Sequence, residues 1–111
     1  MNYKDLSQKY FNTWNAHDIK KLSKLFSDNI ILTDWNINVS KKDNVLLENQ
    51  KIFNDLPEIN VEILKIHISE STSTVVTELI VHINKIDKLK VVDLITFNEN
   101  GLIISIKAYK C

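Results

Sequence analysis

The sequence predicts an α+β fold in which three N-terminal helices are followed by a strongly curved antiparallel sheet that wraps around them as a cone. Three observations carry that expectation. Apolar residues recur at helical spacing through the first half of the chain, and from residue 59 onward the period switches to two. The period-two part is a run of long strands separated by short turns, an order that belongs to α+β chains. Within INVEILKIHIS the apolar phase slips from Ile59, Val61 and Ile63 to Leu64, Ile66 and Ile68, which marks a bulge or sharp bend near Ile63.

Each element has its own signature. Tyr3, Leu6, Tyr10, Phe11 and Trp14 form one stripe of a helix over residues 3 to 16, opposite Lys4, Asp5, Gln8, Lys9, Asn12 and Asn15. Asp18 is placed to cap a second helix whose inner face is Ile19, Leu22, Leu25 and Phe26, with Ser27-Asp28-Asn29 closing it. Residues 29 to 39 read as a strand or strand pair. Ser40, with Asp43 three residues on, is expected to cap a third helix presenting Val45, Ile52, Phe53 and Leu56, which Pro57 stops. Strands follow with Val75, Thr77, Leu79, Val81 and Ile83 on one face. The last hairpin is KVVDLITF, the turn NENG, and LIISIKAY with Leu102, Ile104, Ile106 and Ala108 inward.

Composition bounds the function. The 111 residues suit one domain spanning 1–111. Fourteen basic residues, all Lys, balance fourteen acidic ones, and without Arg the chain lacks the planar two-point grip on phosphate, so no nucleic-acid partner is expected. Cys111 is the only cysteine, and no apolar run approaches the roughly 20 residues of a membrane helix, so a cytoplasmic protein without a membrane partner is expected. His, Cys and acids show no metal-ligand spacing, and a single Gly rules out a glycine-rich phosphate loop; no cofactor is expected.

The residue that breaks the pattern is Asp93. In KVVDLITF it shares a strand face with Leu89, Val91, Ile95 and Phe97, where a carboxylate must be paired, reached by solvent in a cavity, or protonated. A curved sheet closing as a cone has a mouth, and such mouths commonly hold ligands.

QKYFNTWNAHDIKKLSKLFSDNIILTD resembles the opening of the nuclear transport factor 2-like (cystatin-like, SnoaL-like) superfamily, most closely the bacterial ketosteroid isomerases. The carriers are Tyr10 and Trp14, the corner Asn15-Ala16-His17-Asp18, Leu22 with Leu25-Phe26, and Asp34; VVDLITFNENGLIISIKA resembles the late hairpin. The resemblance implies Asp34 as general base and Tyr10 with a neutral Asp93 as donors to an enolate oxygen, a pairing for which the ketosteroid isomerase is the standard example. It further implies a pocket lined by Trp14, Trp35, Phe53, Val91, Ile95 and Ile106, a small apolar carbonyl compound as ligand, and a homodimer through the outer sheet face. Trp35 departs from the pattern, which usually has Pro after the base. Three readings stay open: an isomerase-like enzyme, a cyclase or dehydratase that needs His67 or His82 inside the cone, and a non-catalytic binding or dimerisation module. His17, at the corner, is expected to face solvent.

Overall fold

The computed structural model describes residues 1–111. Helix α1 (Tyr3–Asn15) starts at Asn2, whose side chain accepts a hydrogen bond from the Asp5 amide at 3.1 Å, and it buries Ser7, Tyr10, Phe11 and Trp14. Helix α2 (Ile19–Leu25) is capped by Asp18, which accepts from the Lys21 amide at 3.0 Å, and it buries Leu22. Strand β1 (Phe26–Thr33) begins at once, so Ser27-Asp28-Asn29 lies within the strand and does not form a helix-closing turn. A tight turn leads to β2 (Asn38–Ser40) and then to α3 (Lys42–Asp55), which buries Val45, Asn49 and Phe53. The residue capping α3 is Lys41, at φ 77° and without a side-chain cap, because Ser40 is held in β2 opposite Ile31.

The remaining strands are β3 (Asn60–Ser69), β4 (Thr74–His82), β5 (Lys88–Phe97) and β6 (Ile103–Lys110). The sheet order is β2-β1-β6-β5-β4-β3. Every neighbouring pair is antiparallel except β1 with β6, which run parallel because the chain leaves β1 for the opposite sheet edge and returns strand by strand. Register slips between Ile63 and Lys65, where the sequence phase slips. An extra residue there bends the strand and raises the local twist, so the sheet curls over the helices.

A second irregularity was not legible in the sequence. Between Thr96 and Phe97 the β5–β6 register shifts, so that Phe97 lies opposite Ile103 while Thr96 lies opposite Ser105. The shift turns Ile103 into the core, at 1% exposure, and leaves Ile104 only half-buried, which corrects the expectation of Ile104 as an inward residue. The core joins Phe11, Leu22 and Phe26 to Ile30, Val45, Val75, Ile95 and Ile103. No helix is long and apolar enough to cross a membrane.

Candidate functional site

Helices α1 and α3 do not fill the concave face completely. A cavity of about 340 Å³ remains, and 17 of its 21 lining residues are hydrophobic, so any charge in it is poorly solvated. Tyr10 and Trp14 enter from α1, one helical turn apart. Asn49 comes from α3, and Leu79, Val91, Ile106 and Ala108 from the sheet. Asp34, Trp35, Asn36 and Ile37, the turn between β1 and β2, complete the lining.

The three polar residues singled out from the sequence, Tyr10, Asp34 and Asp93, all line this cavity. So do Trp14, Trp35, Val91 and Ile106. Phe53 and Ile95 do not: Phe53 packs behind the wall, edge-on to Trp14 at 5.0 Å, and Ile95 is fully enclosed in the core. Both face inward, but the Phe53 ring packs against Trp14 and His17, and Ile95 lies two residues deeper along β5 than Asp93.

Each polar group is held differently. The Tyr10 ring is wedged edge-on against Phe11 at 5.1 Å and tilted against Phe26 at 6.2 Å, which leaves its orientation little freedom. Its hydroxyl has no protein partner, and burial, reinforced by the charge of Asp93, raises its pKa well above the ordinary phenol value. The phenol is therefore a donor throughout the physiological range. The Asp34 carboxyl is anchored through Oδ1, which accepts from the amides of Asn36 at 2.6 Å and Ile37 at 2.8 Å, and Oδ2 has no protein partner. Asp93 is on the concave face as its phase predicts, between Thr77 on β4 and Ala108 on β6. Burial first, and the charge of Asp34 second, push its carboxyl up to about 7. Its remaining exposure is through the cavity. Tyr10 and Asp93 are not hydrogen-bonded to each other, so each has a donor to offer a third atom.

At the rim, Trp35 is 41% exposed and the Lys110 ammonium lies 5.5 Å above its ring, which steadies a side chain that would otherwise swing in solvent. The histidines take no part. His67 and His82 lie on the outer sheet face, paired with Glu78 at 2.6 Å and Glu62 at 2.9 Å. His17 is not solvent-facing as its place in the corner suggested. At φ 54° its Nε2 donates to the Ile59 carbonyl at 2.7 Å, and its ring stacks on Phe53 at 4.2 Å and 7°. No cluster of three or more His, Cys, Asp or Glu could hold a metal ion.

Sequence reasoning missed the two amides that orient Asp34 and the hydroxyl opposite Asp93. The first had a signal, since Asp-Trp-Asn followed by an apolar residue is turn chemistry in which an Asp side chain bonds the backbone two residues on. The second had none, because it depends on strand register.

The SnoaL-like domain model matches residues 7–106. No curated protein matches the chain. Among solved structures, an NTF2-like protein of unknown function from Cytophaga hutchinsonii superposes with a TM-score of 0.85 at 13% identity, covering 100% of this chain and 91% of the other. The epoxide hydrolase/cyclase-like enzyme SalBIII, with a role in pyran ring formation in the polyether salinomycin, gives 0.80 at 17%, covering 98% and 90%. A candidate ketosteroid isomerase from Kribbella flavida gives 0.84 at 13%, covering 98% and 77%. Such identities speak for the fold, and the family match over nearly the whole chain goes further: the protein belongs to the SnoaL-like domain family.

Proposed function

We propose that the protein admits a small apolar carbonyl compound into the cone and moves a proton beside the carbonyl through an enolate. Asp34 takes the proton through its free Oδ2 and returns it at a second carbon. Tyr10 and neutral Asp93 donate hydrogen bonds to the oxygen as negative charge develops on it. The observation that supports this reading is that two donors without protein partners and an anchored carboxylate line one apolar cavity. An apolar wall strengthens both donations, because little water competes for the oxyanion. No electron or cofactor is required, since the proton removed is the proton returned.

The cyclase and dehydratase reading needs an imidazole in the cone, and both candidate histidines are bonded to glutamates outside it. Turnover is tested with a panel of β,γ-unsaturated cyclic ketones in deuterated water, followed by proton NMR. Expected is conversion to the conjugated ketone with the transferred proton, or deuterium where the base exchanges with solvent during the transfer, at the γ carbon, and a rate reduced at least ~100-fold in Asp34→Asn. Binding of the panel without conversion or exchange would make the protein a ligand-binding module of the same fold.

A further inference from the structure

Three polar side chains are fully enclosed: Ser7, Asn49 and Thr77. Two are satisfied within their own helices or by a neighbour. Ser7 Oγ donates to the Lys4 carbonyl at 2.9 Å, while Asn49 accepts from Trp14 Nε1 at 2.9 Å and donates to the Val45 carbonyl at 3.0 Å. Thr77 Oγ1 alone has no partner, although the residue is 0% exposed. An unmade hydrogen bond of that kind costs about 1–3 kcal/mol, which valine would avoid at nearly the same volume.

Its place in the sheet suggests what the hydroxyl is for. The register sets one row across the concave face: Ile66 on β3, Thr77 on β4, Asp93 on β5 and Ala108 on β6. Directly opposed side chains have Cβ atoms ~4.5–5.5 Å apart, so a small rotation of either brings Thr77 Oγ1 to a carboxyl oxygen of Asp93. Ala108, on the other side, offers only a methyl group. Above and below in β4 are Val75 and Leu79, and in β5 Val91 and Ile95. Of the two side chains directly opposite Asp93, Thr77 is thus the one that can form a hydrogen bond with it.

We propose that Thr77 is a positioning residue for Asp93: its hydroxyl donates to the carboxyl oxygen that does not carry the proton, which turns the O–H toward the cavity and the ligand oxygen. The role rests on the oxyanion reading of the site. The other polar or charged groups that line the cavity with Asp93 are Tyr10 from α1, Asp34 and Asn36 from the β1–β2 turn and Asn49 from α3. Lys110, two residues beyond Ala108 on β6, holds its ammonium over Trp35. β3 presents only Val61, Ile63 and Ile66 to the core, so no charge on it competes.

The test is a carboxyl-carbon NMR titration of Asp93 in the full chain, comparing wild type, Thr77→Val, Thr77→Ala and Thr77→Ser, with a naphthol as a probe for the oxyanion pocket. A hydroxyl donor favours the ionised carboxyl, so Thr77→Val is expected to raise the Asp93 midpoint by about half a unit or more, with Thr77→Ala shifting it in the same direction. Thr77→Ser, which keeps the hydroxyl, is expected to titrate as wild type. Naphthol affinity is expected to fall about five- to tenfold in the valine variant and to recover in the serine variant. Identical titrations in wild type and both hydroxyl-free variants, or a serine variant that behaves like valine, would overturn the role. Neither readout needs turnover. A chain that isomerises none of the ketones yet shows the Thr77-dependent shift would contradict the proposed reaction and leave the positioning intact.

Discussion

Asp34 and Asp93 face one apolar cavity from distant parts of the chain, and the charge of Asp34 helps keep Asp93 protonated. The two acids have opposite surroundings. Asp34 is gripped by two backbone amides at the end of a turn, whereas Asp93 has apolar neighbours along its strand and no protein hydrogen bond. An anchored carboxyl with one free oxygen and a second carboxyl kept protonated by burial are suited to the roles of base and acid. Because burial is the larger cause for Asp93, replacing Asp34 by Asn should lower the Asp93 midpoint by no more than roughly one unit and leave it well above an ordinary carboxyl. Carboxyl-carbon NMR on the two proteins measures this; a drop to the usual acidic range in Asp34→Asn would mean that the neighbour, and not burial, governs the group.

The same carboxyl makes stability depend on pH in a defined direction. Its folded-state pKa, about 7, is above the 3.8 of the unfolded chain, so the folded state holds a proton that the unfolded state has lost. Stability from this group is full below about pH 4, falls as pH rises toward 7, and is level beyond. The roughly three-unit gap corresponds to at most about 4 kcal/mol, less to the extent that water enters the cavity and screens the charge. Asp93→Asn, which cannot ionise, should match wild type near pH 4 and exceed it at pH 8 by a few kcal/mol in urea unfolding. Equal stability of the two proteins at both pH values would contradict a raised Asp93.

Catalysis should carry the same imprint. With Asp93 needed neutral and Asp34 needed as a carboxylate, kcat/KM should decline as pH rises through about 7, and since the two acids interact the midpoint belongs to the pair. Asp93→Asn retains a donor and should lose that alkaline limb, at a rate reduced by roughly 10-fold or more because an amide is a weaker donor than a carboxylic acid. Rate measurements from pH 5 to 9 with any ketone that turns over decide it; an alkaline limb unchanged in Asp93→Asn would remove Asp93 from the reaction.

His17 belongs to the frame of the site and not to its chemistry. It combines a left-handed backbone, a hydrogen bond to Ile59 and a stack on Phe53, which in turn braces the cavity wall residue Trp14. His17→Ala should cost roughly 2 kcal/mol and lower Tm by on the order of 10 °C. The Asp93 titration should be unchanged. Thermal unfolding by circular dichroism, with the NMR titration alongside, separates the two effects, and a His17→Ala protein as stable as wild type would show that the corner is not braced as described.

Much of this arrangement was legible in residue periods. The slip at Ile63 announced the bend that curls the sheet, the Tyr10 and Trp14 spacing placed both on the inner face of α1, and the strand phase put Asp93 on the concave side. Elements set by register between distant segments were not. The shift at Phe97 that exchanges Ile104 for Ile103, and the pairing of Thr77 with Asp93, follow from how two strands slide past one another, which neither strand's own pattern reveals. Phe53 and Ile95 show a related limit: facing inward and reaching a cavity are different properties, and the second depends on how helices α1 and α3 cover the sheet. His17 was misread because a polar residue at a helix end usually meets solvent, while here the left-handed turn folds its ring onto Phe53.

Whether Tyr10 and Asp93 form one oxyanion site is tested most directly by a crystal structure with a bound naphthol, whose oxygen imitates an enolate. The expected result is a naphthol oxygen within ~3.2 Å of both the Tyr10 hydroxyl and an Asp93 carboxyl oxygen, with Asp34 Oδ2 facing the ring carbon nearby. A naphthol bound in the cone with its oxygen turned away from Tyr10 and Asp93 toward the mouth would contradict it.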